Sequence, residues 1–394
     1  MLLLLKMIRK FAIMKKCFLL FLFKTIFSLS FLAQNISVLS EGNWYNITTS
    51  ENGIYKLDYS NFEALGINTS NLQTNAIKLY GNGGGMLPKL NSDFRRSDLT
   101  ENAIKVYDLN SNGLFEDGDY ILFYGMSPNI WRFNETTNLF EHEIHLFSDE
   151  VSYFLTIDNK SSGKRITQKN PIQNPTKNIT SFNSYSYHEE ELENLIQSGN
   201  RWFGERFEYQ NTYEFNFLFP NIIDNVESFI TINTAARSVN PSVFNAALNG
   251  INIGSINTSS VAAFGYEYAK SGSLNTSFVS DSDNLNVQLT FVKQENTALG
   301  WLDDIVINTR SSLRLIGNYF NFRDIDQLGN EIGQYRIENG ANLEVWDITE
   351  PINPHKLALS VIGTDLFFND SLNILHEYIA FNSAAYLTPN LKGV

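Results

Sequence analysis

The segment Leu285-Asn286-Val287-Gln288-Leu289-Thr290-Phe291 alternates apolar and polar residues without interruption. Successive side chains of a β-strand point to opposite faces, so this pattern predicts a strand with one buried, apolar face. Residues 228–234 repeat the alternation more weakly, and turn-forming pairs recur nearby at Asn249-Gly250 and Ser271-Gly272. Residues 201–316 are therefore predicted to form a jelly-roll-like β-sandwich.

The composition extends this prediction to the rest of the chain. The 394 residues include 30 Phe, 18 Tyr and 5 Trp but only 9 Pro. Aromatic residues favour strands, and a content of 43% hydrophobic against 18% charged residues excludes a largely disordered chain. The predicted fold class is mainly all-β, with several β domains and few short helices.

The chain divides into five predicted segments. Residues 189–197 are the best helix candidate, and Asn52-Gly53 predicts a hairpin between strands near Tyr45 and Tyr55. The predicted division comprises a signal peptide (1–33), an N-terminal β domain (34–159), a linker with a short helix (160–200), the β-sandwich (201–316) and a further β domain (317–394).

The first 33 residues have the pattern of a secretory signal peptide. They contain six cations and no acidic residue, and the cations Lys15 and Lys16 precede apolar runs at 17–23 and 26–33. Cleavage after Ala33 is expected, and a transmembrane anchor is the alternative. The processed chain would contain no cysteine, because Cys17 is the only one. It would therefore have neither disulfides nor a thiol nucleophile.

The formal net charge of the chain is −13, which argues against nucleic acid as its main partner. The sequence shows no arrangement that predicts a catalytic triad, and no phosphate-binding glycine loop. No catalytic or organic-cofactor residues are therefore assigned.

Residues 108–119 have the spacing of a calcium-binding loop. Oxygen donors occupy its positions 1, 3, 5, 9 and 12, and Gly113 stands at position 6, where such loops turn sharply. The predicted ligands are Asp108, Asn110, Asn112, the Leu114 carbonyl, Glu116 and Asp119. Calcium is the one cofactor that the sequence indicates, and an Asn/Gly-rich turn without an ion is the alternative.

A series of short motifs resembles the N-terminal, non-catalytic region of the PorU family of type IX secretion system sortases. The run from Tyr80 to Asn91 is the most specific of them. The other matching motifs are Gly42–Tyr45, Gly53–Lys56, Gly118–Gly125, Ser198–Glu205, Gly300–Asp303, Asn321–Arg323 and Glu344–Thr349.

The resemblance implies a cell-surface role in a Gram-negative bacterium. Members of this family continue into a gingipain-type cysteine peptidase domain with a His/Cys dyad, process the C-terminal sorting domains of exported proteins and attach those proteins to the surface. The expected partners are other type IX components, cargo proteins and the peptidase domain, which should begin near Val394 and is missing here. No catalytic residue can be transferred, because no cysteine follows Cys17.

An independent secreted β-sandwich adhesin or glycan-binding protein is the second hypothesis. Exposed aromatic residues in a shallow groove would favour it, and Trp202 and Trp301 are the candidates. Core packing is the competing explanation for both tryptophans.

Overall fold

The computed structural model describes residues 37–197, 201–262 and 266–393. The predicted signal peptide lies outside these residues. Within them, no helix is long and apolar enough to cross a membrane. Strands dominate the described chain, so the predicted all-β class with few short helices is confirmed.

The N-terminal part contains nine strands and one short α-helix. Helix α1 (Tyr59–Ala64) is capped by the Asp58 side chain, which accepts a hydrogen bond from Asn61 N. The strands are β1 (Tyr45–Thr49), β2 (Gly53–Asp58), β3 (Ile77–Tyr80), β4 (Glu101–Asn102), β5 (Lys105–Tyr107), β6 (Tyr120–Gly125), β7 (Ile130–Asn134), β8 (Leu139–Glu143) and β9 (Val151–Ile157).

Two short strands, β10 (Thr167–Gln168) and β11 (Lys177–Ile179), and the longer strand β12 (Ser181–His188) follow in the chain. The strands that follow are β13 (Arg206–Phe207), β14 (Thr212–Leu218), β15 (Ser228–Arg237), β16 (Ser242–Leu248), β17 (Ile251–Thr258), β18 (Lys270–Phe278), β19 (Asn284–Val292) and β20 (Leu299–Ser312).

The C-terminal part contains eight further strands. They are β21 (Tyr319–Arg323), β22 (Ile332–Ile337), β23 (Glu344–Asp347), β24 (His355–Lys356), β25 (Ser360–Ile362), β26 (Asp365–Ser371), β27 (Glu377–Phe381) and β28 (Asn390–Gly393). Single 3₁₀ turns lie at Val38–Ser40, Thr74–Ala76 and Ser383–Ala385.

The N-terminal core is formed between two sheets, ordered β28-β1-β9-β3-β4 and β2-β6-β5. The predicted hairpin between β1 and β2 is wrong, because β1 pairs with β9 and β28 whereas β2 pairs with β6. The turn at Asn52-Gly53 carries the chain from one sheet to the other. Both strands bury apolar residues, so the alternation alone could not distinguish a hairpin from two sheets.

The central unit is a β-sandwich, as predicted, and it contains nine strands. Its sheets have the orders β12-β20-β15-β18, with β13 also paired to β20, and β14-β19-β16-β17. The apolar residues of β19 are buried between them. Asn249-Gly250 forms the turn between β16 and β17, with φ of 48° and 79°. The predicted turn at Ser271-Gly272 is wrong, since both residues lie in β18.

The C-terminal unit packs two sheets, ordered β10-β24-β23-β27-β21 and β11-β22-β26-β25. Aromatic residues from both sheets share its core, among them Phe322, Tyr335, Phe368 and Tyr378. Strands β10 and β11 come from residues 160–180, the first half of the predicted linker (160–200), and pair with β24 and β22 of the C-terminal unit. We call residues 160–180 the strap.

The predicted helix at 189–197 is also wrong. The chain there is irregular, with a turn at 195–196, and Glu193 exchanges two backbone hydrogen bonds of 2.9 Å with Phe203. The Glu193 carboxylate accepts a 2.7 Å hydrogen bond from Trp301 Nε1. These long-range contacts outweigh the local helix propensity. The five-segment division itself stays a prediction, although β12 belongs to the sandwich rather than to a separate linker.

Candidate functional site

The predicted calcium loop connects β5 to β6 and brings its polar residues together. Asp108 lies at its start, where Oδ2 accepts a 2.7 Å hydrogen bond from Gly113 N and Oδ1 accepts a longer one from Asn112 N. Asn110 Nδ2 and Asn112 Nδ2 both donate to Glu116 Oε2 at 2.8 Å. Side chains at loop positions 3, 5 and 9 therefore contact one another directly.

The two remaining predicted ligands have different surroundings. Asp119 is buried, and its two carboxylate oxygens accept from Leu109 N at 2.9 Å and Glu116 N at 2.8 Å. Leu114 N donates to Asn112 Oδ1, and Leu114 also bridges to Gln73. Asp119 thus closes the loop through hydrogen bonds from backbone N–H groups. The side of the loop that could bind an ion is formed by the carboxylates of Asp108 and Glu116 and the side-chain amides between them.

A second group of ligand-type side chains was missed by the sequence analysis. Asp347, Asp370 and His376 are buried in the C-terminal unit, and one ligand atom from each lies within 4.8 Å of the others. They come from β23, from β26 and from the residue before β27. Their spacing along the chain matches no metal motif, and only the sheet pairing brings them together.

The strap supplies a cation to this group. Lys169 Nζ donates to Asp347 Oδ2 and, at 3.0 Å, to Asp370 Oδ2. Burial raises the pKa of Asp347, but hydrogen bonds from His376, Lys169 and Thr349 outweigh that effect and hold the pKa below its ordinary value. Because the Lys169 ammonium pairs with both carboxylates, the group is best described as a buried ionic network that anchors the strap.

The hairpin β7–β8 meets the outer face of the sandwich along a seam that contains a cavity of about 550 Å³. At its edge, the buried Asn308 side chain accepts from Phe140 N at 2.8 Å and donates to Phe140 O at 3.0 Å. His142 lines the cavity, contacts Glu189 through Nε2 and stacks on Tyr187 at 3.9 Å between ring centroids.

Asp304 lines the same cavity. Burial and the nearby Asp303 carboxylate together raise the pKa of Asp304 to about 6, although Asn233 donates to both Asp304 oxygens. Arg201 pairs with Asp303 at 2.7 Å. The seam is therefore a polar, acidic contact between the N-terminal hairpin and the sandwich.

Arg323 joins all three units near this seam. Its Cζ lies 4.4 Å from the Trp131 ring centroid and 5.3 Å from that of Tyr185. Its Nη2 donates to Glu377 Oε1 at 2.7 Å, and Trp131 Nε1 donates to the same carboxylate at 2.9 Å. Arg323, in C-terminal strand β21, is therefore a buried cation that contacts the β7–β8 hairpin, sandwich strand β12 and C-terminal strand β27. We call this group of residues the Arg323 junction (Arg323, Trp131, Phe140, Tyr185 and Glu377). The motif Asn321-Phe322-Arg323 was its only signal in the sequence.

No protein-family model and no curated protein match the chain. A crystal structure of dimeric latent PorU from Porphyromonas gingivalis aligns with 91% of it, with a TM-score of 0.76 and 21% sequence identity. The chain has a PorU-like fold. This likeness agrees with the resemblance carried by the sequence motifs. The chain spans about a third (33%) of that PorU chain.

Two other solved structures share much less with the chain. A carbohydrate-binding module, CBM36, in complex with calcium and xylotriose covers 31% of this chain, and 97% of the module aligns, at 13% identity and a TM-score of 0.22. The δ-endotoxin Cry8Ea1 of Bacillus thuringiensis covers 67%, with 52% of its own chain aligned, at 10% identity and a TM-score of 0.21. Neither likeness supports a function at such TM-scores.

Proposed function

We propose that this chain is a non-catalytic docking and accessory region of a type IX secretion sortase, exported to the outer-membrane surface of a Gram-negative bacterium. The PorU-like fold over 91% of the chain is the observation that carries the proposal. The sortase would process the C-terminal sorting domains of exported proteins and attach those proteins to the surface. This region would dock its peptidase domain, another type IX component or cargo.

The internal contacts support a docking role. A docking region must hold several surfaces in fixed relative positions, and the Arg323 junction links the three units through buried polar contacts. The strap adds a second connection, because β10 and β11 pair with strands more than 150 residues away in sequence. Catalysis would belong to the His/Cys domain of the full protein, since Cys17 is the only cysteine here.

The test is deletion of the coding sequence for residues 37–393 in a bacterium that uses type IX secretion. We expect cargo to keep its sorting domain and to be lost from the cell surface, with recovery when the wild-type sequence is restored. Normal cargo processing after the deletion would overturn the proposal.

The adhesin or glycan-binding hypothesis is less well supported. Trp301 is fully buried and its Nε1 is bound by Glu193, so it cannot contact a ligand. Trp202 is only about one-third exposed. Under this hypothesis the deletion would abolish binding to glycans or host surfaces and leave cargo processing intact.

We also propose that the loop from Asp108 to Asp119 binds calcium and orders the turn before β6. The contacts among Asn110, Asn112 and Glu116 support the proposal, because an ion could replace the amide N–H groups that now satisfy Glu116. Three ligand carboxylates in a partly exposed loop suggest a dissociation constant of roughly 0.1–1 mM. Calcium at about tenfold excess over that constant would then stabilise the fold by about 1.4 kcal/mol.

Thermal melting in millimolar calcium or in chelator tests this site. We expect calcium to raise the midpoint of the wild-type chain and to leave an Asp108→Ala variant unchanged. A wild-type midpoint that does not respond to calcium would show that the loop is an ordinary Asn/Gly turn.

A further inference from the structure

The long loop between β3 and β4 exposes apolar and cationic side chains together. Leu87, Leu90 and Phe94 are 73%, 63% and 80% exposed. Lys89, Arg95 and Arg96 alternate with them in the sequence and are also exposed. We call residues 86–96 the apolar–basic loop.

The cations of this loop are free of acidic partners. Among residues 37–197, 201–262 and 266–393, no ion pair joins Lys89, Arg95 or Arg96 to a carboxylate, and Asp93 is the one acidic residue in the loop. Arg95 Nη2 donates instead to Pro88 O at 2.5 Å, and Arg96 Nη1 donates to Thr100 Oγ1 at 3.2 Å. The loop is therefore locally positive on a chain whose formal net charge is −13.

The base of the loop is held firmly although its tip is exposed. Gly85 N donates to Pro128 O at 2.9 Å, and a Cβ at Gly84 would lie 2.0 Å from the Ser127 carbonyl oxygen. Loops of this length without secondary structure are uncommon in a compact domain and are usually either functional or disordered. The fixed base favours the first explanation. Because the base of the loop is already fixed, little further conformational entropy is lost when the tip binds a partner.

A neighbouring loop adds another exposed aromatic ring. Phe147 is 81% exposed, and the nearby His145 N donates to Asn129 Oδ1 at 2.9 Å. Asn129 belongs to the same short segment, residues 126–130, that holds Gly84 and Gly85. The two loops thus carry their exposed apolar side chains from one common support.

We propose that the apolar–basic loop inserts into the headgroup region of an anionic lipid bilayer. A bilayer accepts separate, highly exposed side chains such as Leu87, Leu90 and Phe94 without a matching pocket for each, and it places adjacent cations at the level of the phosphates. The charge supports the same orientation, because an acidic protein can approach an anionic surface only through a locally basic patch. A protein partner with an acidic, apolar face is the competing occupant.

Vesicle co-sedimentation of the processed chain, Gln34–Val394, tests the proposal. We expect binding to vesicles of equal parts phosphatidylglycerol and phosphatidylcholine, and binding roughly a hundredfold weaker to pure phosphatidylcholine, because three cations contribute near an anionic surface. A Leu87→Ser/Phe94→Ser variant should lose the binding and keep the wild-type melting midpoint, because both side chains are exposed.

A matched control separates loop insertion from general surface apolarity. Leu218 and Ile251 lie on the sandwich and are 63% and 71% exposed. A Leu218→Ser/Ile251→Ser variant should bind the mixed vesicles as the wild type does. In a Phe94→Trp variant, the indole emission should shift to shorter wavelength when mixed vesicles are added.

Three results would overturn the proposal. They are an absence of wild-type binding to the mixed vesicles, equal binding by the loop variant, and an unchanged emission of the Phe94→Trp variant. Capture of an acidic protein by the loop without any vesicle binding would also overturn it and would assign the loop to the competing occupant.

Discussion

The fold raises the pKa of the Asp304 carboxyl group toward neutral pH. Burial raises its pKa to about 6, from an ordinary value of 3.8, with the Asp303 carboxylate acting in the same direction. Glu189 adds to this effect and His142 opposes it. Since the folded state binds the proton more tightly than the unfolded state, ionised Asp304 lowers stability above its folded pKa, and stability rises as pH falls from about 7 toward about 4.

Asp304→Asn should therefore stabilise the chain near neutral pH. The amide oxygen introduced by the substitution can still accept from Asn233, so the main change is removal of a buried negative charge. We expect a gain of about 2 kcal/mol in the free energy of unfolding near neutral pH, and a smaller rise in stability on acidification than in the wild type. Denaturant unfolding at a series of pH values measures both, and identical pH profiles would contradict the prediction.

The PorU-like motifs contain several residues whose side chains connect segments that are distant in the sequence. Arg201 pairs with Asp303, Glu205 contacts His188, and Arg323 forms the junction. The motifs thus indicated important positions without indicating their partners. Sequence spacing cannot supply those partners, because the contacts of Arg323 lie up to about 190 residues away and depend on how the units pack.

At the scale of elements, Gly84 is the point where the β3–β4 loop touches the segment before β7. Gly84→Ala would place its Cβ 2.0 Å from a backbone oxygen, a contact that no side-chain rotation can relieve. We expect a loss of about 2–3 kcal/mol in the free energy of unfolding. Gly329→Ala is the control, because no atom lies within 4 Å of its Cβ position, and it should change stability by no more than about 0.5 kcal/mol. Equal unfolding midpoints for the two variants would contradict the close approach.

The strap illustrates which elements the sequence could predict and which it could not. Strands with one buried face, such as β19, follow directly from alternation. Strand β10 has only two exposed residues, Thr167 and Gln168, and its sequence is polar because it pairs at a sheet edge. The irregular segment at Glu193 likewise depends on Phe203 and Trp301. Local sequence patterns carry no information about such long-range pairings. They therefore predict a linker where the strap lies and a helix at Glu193.

Lys169→Met tests the anchorage of the strap. The substitution keeps the side-chain length but leaves the buried Asp347 and Asp370 carboxylates without their ammonium partner. We expect a loss of about 3 kcal/mol near neutral pH. The loss should shrink near pH 4, because the Asp347 carboxylate, whose pKa Lys169 helps to lower, can then be neutralised by protonation.

Lys160→Met provides the matched control for this change. Lys160 pairs with Glu41 on the surface, where both side chains are about 80% exposed. Its substitution should cost about 0.5 kcal/mol or less at any pH. Calorimetry at two pH values compares the variants, and a pH-independent loss for Lys169→Met would show that the ionic network does not hold the strap.

At the scale of the whole molecule, the chain crosses between units more than once. The strap carries residues 160–180 into the C-terminal unit before the sandwich begins, and β28 returns at the end to pair with β1 in the N-terminal sheet. The N-terminal and C-terminal units therefore depend on segments that are remote in the sequence. Such connections favour cooperative unfolding of the three units rather than independent transitions.

Arg323→Met should weaken that cooperativity. It removes a buried cation from between Trp131 and Tyr185 and leaves the Glu377 carboxylate with the indole N–H of Trp131 as its remaining side-chain donor at this junction. The expected cost is about 3–5 kcal/mol, as for other buried ion pairs broken on one side. Because the junction spans three units, we expect the calorimetric transition to broaden or split, and the hairpin β7–β8 to become the earliest site of limited proteolysis. Arg314→Met is the control, since Arg314 is exposed and forms no ion pair among the described residues. If Arg323→Met melts as sharply and at the same temperature as Arg314→Met, the three units are held together by their strand connections and not by the junction.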